Sequence, residues 1–324
     1  MSSQVEAVLS NYVFRNEDGT VQFWDHPNLK SRLIRPMTDY KPITRIEHSL
    51  DMLNNGKLSE VDMTILKVVG DAVCANENQL RRYLSMKYSS NVVGKTLRRL
   101  AKYGFVTRVK CYLEGQNEQD APRPSAPFVL GVAGFALMKR LYSDQYFRKD
   151  QYFAEKDFSI PLYVATNEIR ALAYESTHLR GWQWSPLSRL VRKVSSPNAS
   201  FQIKIDEHHY DFIVSRVYQN MSFIDHLRSQ LEVYRYFHKE QGRIPHLAYN
   251  EDMNQVIVFS VSSVSVAKEI QDKLGLHHFP MHVWFCIDEW ITESEGLRHA
   301  FAEPRKEGLE QLDVWFLEKK MNKQ

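Results

Sequence analysis

Apolar positions between residues 59 and 141 recur first with a helical period and then with a strand period. Met63, Leu66, Val69 and Val73, with Ile65 beside them, repeat every three or four residues and predict a helix. Ser59 opens it, and Asp62 three residues on makes a capping box. Asn76 or Asn78 caps a second, shorter helix that buries Leu80 and Leu84, and the polar turn Lys87-Tyr88-Ser89-Ser90 follows. A third helix runs over residues 91–103, with Val93, Leu97, Leu100 and Ala101 on its apolar face, and Gly104 ends it. The period then drops to two in Phe105-Val106-Thr107-Arg108-Val109-Lys110-Cys111-Tyr112, a strand. A polar, Pro-rich loop over 114–127, a second strand Phe128-Val129-Leu130 and a helix from Gly134 to Leu141 complete the stretch.

Charge changes the meaning of this pattern. The net formal charge of the chain is only +3, yet residues 81–113 contain no Asp or Glu and nine cations: Arg81, Arg82, Lys87, Lys95, Arg98, Arg99, Lys102, Arg108 and Lys110. Such a surface fits a phosphate backbone, whereas a solvated basic helix face is the plain alternative. Helix, short helix, basic helix, strand, loop, strand, helix is the order of a winged helix-turn-helix. The phrase Leu97-Arg98-Arg99-Leu100-Ala101-Lys102-Tyr103-Gly104-Phe105-Val106 resembles a common one in bacterial winged-helix proteins. The third helix is then expected in the major groove with its N-terminal half leading. Ser89, Ser90, Asn91, Lys95 and Arg98 are expected at bases or nearby phosphates, and Arg99 and Lys102 at phosphate. Arg108 and Lys110 lie on the wing strand and Arg123 in its loop, within reach of the minor groove or backbone. The alternative is a winged helix retained for protein contact.

Residues 1–58 read as an extension wrapped on this domain. Tyr12-Val13-Phe14 and Val21-Gln22-Phe23-Trp24 are expected to pair around Asp18-Gly19, and Thr44 to begin a helix broken by Asn54-Asn55-Gly56. Lys30, Arg32 and Arg35 read as solvated surface before they read as phosphate contacts. Residues 148–157 read as a linker. Beyond it, a helix over 169–174 is extended toward Leu190, strands are expected over 201–205 and 210–218 around the turn Asp206-Glu207-His208-His209, and a helix over 222–239 repeats Phe223, Leu227, Leu231, Tyr234 and Phe237. A strand over 255–261, a helix over 265–274 and a strand over 282–287 complete a small α/β layer fold, with strands apolar enough to be covered on both faces. The tail over 304–324 is expected to be a charged helix with Leu309, Leu312 and Phe316 as its apolar stripe.

Composition narrows the class. Apolar residues make up 43% and charged residues 25%, which suits globular domains, and no apolar run approaches the ~20 residues of a membrane span. Residues 1–14 lack a basic patch followed by an apolar stretch, so no signal peptide is expected. Cys74, Cys111 and Cys286 are odd in number and widely spaced, which predicts reduced thiols and a cytoplasmic protein.

Phe128-Val129-Leu130-Gly131-Val132-Ala133-Gly134-Phe135 after the wing, and Leu231-Glu232-Val233-Tyr234 in the long helix, resemble the replication-relaxation proteins of plasmids and other mobile elements. The resemblance covers roughly residues 60–290. It implies a C-terminal domain similar to restriction endonucleases, with an acidic residue on one strand and an E-x-K triplet on the next to hold a divalent metal and orient water. Here Val214-Ser215-Arg216 stands where E-x-K would be, so two acidic ligands are not available on that strand. Asp206 and Glu207 read as turn residues. His208-His209 and His277-His278 are adjacent pairs that cannot chelate alone, and His282 and Cys286 lie about 13 Å apart along a strand. No G-x-S-x-G and no phosphate loop occurs. Tyr210 after His208-His209 is weak support for a relaxase. Trp182, Trp184, Trp284, Trp290 and Trp315 read as core or interface residues.

The expected architecture is mixed α+β and α/β. It comprises an extension over 1–58, a winged helix-turn-helix domain over 59–147, a linker over 148–158, an α/β domain over 159–300 resembling a degenerate restriction-endonuclease fold, and a helical tail over 301–324. The expected function is non-enzymatic binding of double-stranded DNA by a protein of a mobile element, in replication, relaxation and transfer, or transcriptional control. A homodimer is expected to use it, with no cofactor, no metal and no membrane, and with the C-terminal domain open to a protein partner. A metal-dependent nuclease or relaxase, and a transcription regulator with a ligand-sensing C-terminal domain, stand as alternatives.

Overall fold

The computed structural model describes residues 14–36, 40–115, 124–156, 158–186, 198–219, 222–245 and 253–319. The chain is mixed α and β and divides into two compact units, 28–171 and 1–27 with 172–324.

The first unit holds β1 (Leu29–Ile34), α1 (Ile46–Asn54), α2 (Glu60–Ala72), β2 (Ala75–Asn76), α3 (Glu77–Leu84), α4 (Ser90–Lys102), β3 (Val106–Leu113), β4 (Pro127–Leu130), α5 (Val132–Leu141), α6 (Asp150–Glu155) and most of α7 (Ser159–Tyr174). The local signals act as read. Ser59 and Asp62 form a reciprocal capping box at α2, and Asn76 with Gln79 forms a second at α3. Gly104 follows α4 at φ +74°, where a side chain would be strained. The apolar stripes of α2, α3 and α4 bury Ile65, Leu66, Leu80, Leu97 and Leu100 against Val106, Phe128 and Leu130. The four-stranded sheet runs β1-β3-β4-β2. Gly134 lies so close to Phe105 that an added Cβ would stand 2.0 Å from its carbonyl oxygen, so this glycine has a packing reason of its own.

Segments read as irregular are structured. The expected linker carries α6, which packs on β1. Between α2 and β2 the backbone turns at Val73, with φ 63° and ψ −56°, and Cys74 N–H donates to Ala72 C=O at 2.7 Å. This is a γ-turn of the rare positive-φ kind, at a buried β-branched residue. Asn167 of α7 holds it in place. Its buried amide nitrogen donates to the carbonyls of Ala72, Cys74 and Tyr163 at 2.8–2.9 Å, and its oxygen accepts from Tyr83 Oη at 2.8 Å. Asn167→Ala would remove these buried hydrogen bonds from the turn and from Tyr83, at an expected cost of about 2 kcal/mol. Urea unfolding would check this, and a loss below about 0.5 kcal/mol, the level of ordinary surface changes, would refute the clamp.

The second unit holds a seven-stranded sheet in the order β11-β10-β9-β8-β7-β6-β5. The strands are β5 (Leu179–Trp184), β6 (Ala199–Ile205), β7 (His208–Arg216), β8 (Met253–Val261), β9 (His282–Ile287), β10 (Phe301–Arg305) and β11 (Gly308–Leu312). Strands β5 to β7 form an antiparallel meander, and β7, β8 and β9 run parallel through the crossover helices α8 (Phe223–Gln241) and α9 (Val264–Leu274). A short α10 (Asp288–Ser294) follows β9. Helices α8 and α9 bury Leu231, Tyr234, Ala267 and Ile270 against Ile213, Ile257, Phe259 and Phe285.

Four expectations are corrected here. The tail is a β-hairpin, β10 and β11, followed by a 3-10 turn Trp315–Leu317 rather than a helix, because Phe301↔Leu312 to Arg305↔Gly308 form a ladder around a glycine at φ +131°. The helix that begins before Ile169 stops at Tyr174, and β5 occupies the way to Leu190. The Asn16–Thr20 turn at Asp18-Gly19 exists, yet the described residues beside it form no strands, and Phe23–Asp25 is a 3-10 helix. Residues 14–27 belong to the second unit instead of wrapping on the first: Asp25 accepts from Gln219 N–H and Nε2 at 3.0 and 2.9 Å, and Glu289 accepts from Glu17 N–H at 2.6 Å.

Candidate nucleic-acid interface

The basic stretch is not a uniform positive surface, because three of its arginines are engaged within the fold. Arg81 pairs with Glu77 one turn back, and Arg82 with Glu168 of α7 at 2.8 Å. Arg99 pairs with Asp62, the buried capping carboxylate of α2. Arg99 therefore docks α4 on α2, a role different from the phosphate contact expected of it. The salt bridge was not legible because its partners lie 37 residues apart.

The outward face of α4 keeps the other candidates. Ser89, Ser90, Asn91, Lys95 and Arg98 are exposed, and Lys102 is half-buried at the C-terminal end. Asn91, Lys95, Arg98 and Lys102 follow one another at four, three and four residues, so they form one stripe opposite Val93, Leu97 and Leu100. Arg98 Nε donates to Gly94 C=O at 3.2 Å, which lays the side chain along its own helix. Exposed Val92 adds an apolar group at the flank of this stripe. On β3, Arg108 is exposed and Lys110 half-buried. Arg123 lies outside the described residues.

Lys30 and Arg32, read first as solvated surface, stand beside the cations expected on β3. β1 pairs antiparallel with β3, placing Lys30 opposite Tyr112, Arg32 opposite Lys110 and Ile34 opposite Arg108. The Arg32 guanidinium lies 5.8 Å from the centre of the Tyr112 ring. Directly opposed residues share a face, so Lys30, Arg32, Arg108 and Lys110 stand together. The other face carries Leu29, Leu33, Val109 and Leu113, with Thr107 Oγ1 donating to Asp150 of α6 at 3.2 Å.

In the second unit, Val214, Ser215 and Arg216 of β7 are engaged in packing and internal contacts. Val214 is wholly buried, and Ser215 Oγ accepts from Gln230 of α8 at 2.9 Å. Arg216 is buried, with Nη1 2.7 Å from Asp288 and 3.0 Å from Ser260 Oγ, and its N–H donates to Asn198 Oδ1 at 2.6 Å. Asp206 and Glu207 form an exposed turn away from these groups along β7. Among the described residues no group of three or more His, Cys, Asp or Glu is arranged to hold a metal ion, and no helix is long and apolar enough to cross a membrane. Burial pushes the Cys74 and Cys286 thiols well up and that of Cys111 up to about 12, which keeps all three protonated and poorly nucleophilic.

Comparison of the chain with protein-family models, characterised proteins and solved structures returned no match.

Proposed function

We propose that this protein binds double-stranded DNA through residues 59–141, folded as a winged helix-turn-helix, and that its second unit is a restriction-endonuclease-like fold that does not cut. The observation that carries the first part is the face of α4. It presents Asn91, Lys95 and Arg98 from a stretch of 33 residues without a carboxylate, on a helix whose opposite face is locked into the core. Asn and Arg read base edges by paired hydrogen bonds, and Lys supplies charge to phosphate. The topology supports the same reading: a three-helix set, then two antiparallel strands joined over 114–126.

The second part rests on the order antiparallel meander β5-β6-β7, helix α8, parallel strand β8, and on the residues that stand where a cleavage triplet is expected. Fold likeness alone carries no chemistry. Val214 contributes no oxygen, and Arg216 has its charge committed to Asp288. A role in replication, transfer or transcription of a mobile element follows from the resemblance to replication-relaxation proteins.

The test is a duplex-binding titration with the full chain between 50 and 200 mM salt, with and without Mg²⁺ or Mn²⁺. With six or more phosphate contacts, affinity is expected to fall by roughly a thousandfold across that range, with no strand cut. Salt-insensitive binding would refute the interface, and metal-dependent nicking would return the second unit to the enzymes.

A further inference from the structure

We infer that the β1–β3 ribbon is a second phosphate-binding surface, with Lys30 and Arg32 of the N-terminal strand working beside Arg108 and Lys110. This inference rests on the DNA-binding reading above and extends its footprint to a strand outside the helix-turn-helix.

The argument starts from register. Arg108 lies opposite Phe128, and Val106 opposite Leu130. Val106, Phe128 and Leu130 belong to the core packed by α2, α3 and α4. The side chains of 106, 108, 110 and 112 alternate onto one face of β3, so Arg108, Lys110 and Tyr112 continue the helix-bearing face of the sheet past the edge of the core. Lys30 and Arg32 join that face through their partners Tyr112 and Lys110. The reverse face is closed by Leu29, Leu33, Val109, Leu113 and α6. The basic face of the ribbon and helix α4 are therefore on the same side of the sheet.

Its electrostatics favour a polyanion. Neither strand contains an Asp or Glu, and Arg32 and Lys110 are set directly across from each other. Edge strands often carry a lysine to discourage pairing with other chains, which would account for Lys30. It does not account for a second cation facing a third on the helix side. Tyr112 under the Arg32 guanidinium holds that side chain along the ribbon and restricts its motion.

The experiment compares salt dependence of duplex-DNA binding in the full chain, in K30A/R32A, in K30R/R32K and in K268A/K273A, whose two exposed lysines lie on α9. Each lost phosphate contact should flatten the slope of log affinity against log salt by about 0.9, so K30A/R32A should flatten it by about 1.8 and bind roughly tenfold more weakly at 0.1 M salt. K30R/R32K should keep the parent slope, as should K268A/K273A. A salt-sensitive parent with an unchanged slope in K30A/R32A would overturn this inference and leave the helix interface standing. A parent without salt-sensitive binding would overturn both.

Discussion

Replacing Lys95 and Arg98 together by alanine is expected to weaken duplex binding by about two orders of magnitude while leaving the fold intact. Both side chains are exposed on the outer stripe of α4 and neither is joined to a carboxylate in the fold among the described contacts. Alanine suits a helix at least as well as lysine or arginine, so stability should change by less than about 0.5 kcal/mol. An arginine that reads a base is worth about 1–3 kcal/mol, and a lysine on phosphate adds a smaller, salt-dependent share. Fluorescence anisotropy at fixed salt, paired with thermal unfolding, separates the two effects. Retained affinity in a folded double variant would remove α4 from the interface. Arg99→Ala is a poorer probe despite its place beside Arg98. It strips the partner from Asp62, whose carboxylate is 1% exposed, so lost binding would be mixed with a loosened α2–α4 contact.

The second large effect is expected in the other unit. Asp288→Ala should cost about 3–5 kcal/mol, because it leaves the Arg216 guanidinium buried with no counter-charge. The Arg216 side chain is 2% exposed and Asp288 17%, so the arginine cannot turn to water whereas the aspartate partly can. The asymmetry yields a sharper expectation: Arg216→Met should cost less than Asp288→Ala. The double variant Arg216→Met/Asp288→Leu should recover most of the loss, since a buried pair replaced by apolar groups is often neutral. Urea unfolding of the full chain, read as the transition of this unit, decides it. A cost below about 1 kcal/mol for Asp288→Ala, smaller than an ordinary unmatched buried charge, would show that Arg216 is solvated in solution. A cost of about 3–5 kcal/mol would instead make Arg216 a strut of the sheet.

The chain's local code determined much of this protein. Capping boxes at Ser59 and Asn76, the glycine after α4, and apolar residues every three or four positions specify helices through contacts within one turn, so α2, α3, α4, α8 and α9 were all legible. The absence of carboxylates over 81–113 was equally plain. Tertiary structure decided what depends on partners distant in sequence. Leu309, Leu312 and Phe316 have a helix-like spacing, but the pairing of β10 with β11 and β9 supplies backbone hydrogen bonds that a lone amphipathic turn cannot match. The pairing of β1 with β3 joins residues about 80 apart and converts Lys30 and Arg32 from scattered surface charges into part of one basic face. The same kind of distance hid the claim of Asp62 on Arg99, and that of Gln219 and Glu289 on residues 14–27. Periodicity and capping report only on neighbours along the chain. Strand register and ion pairing are settled by which surfaces the fold brings together, and that choice set Arg81, Arg82 and Arg99 against carboxylates of the fold itself.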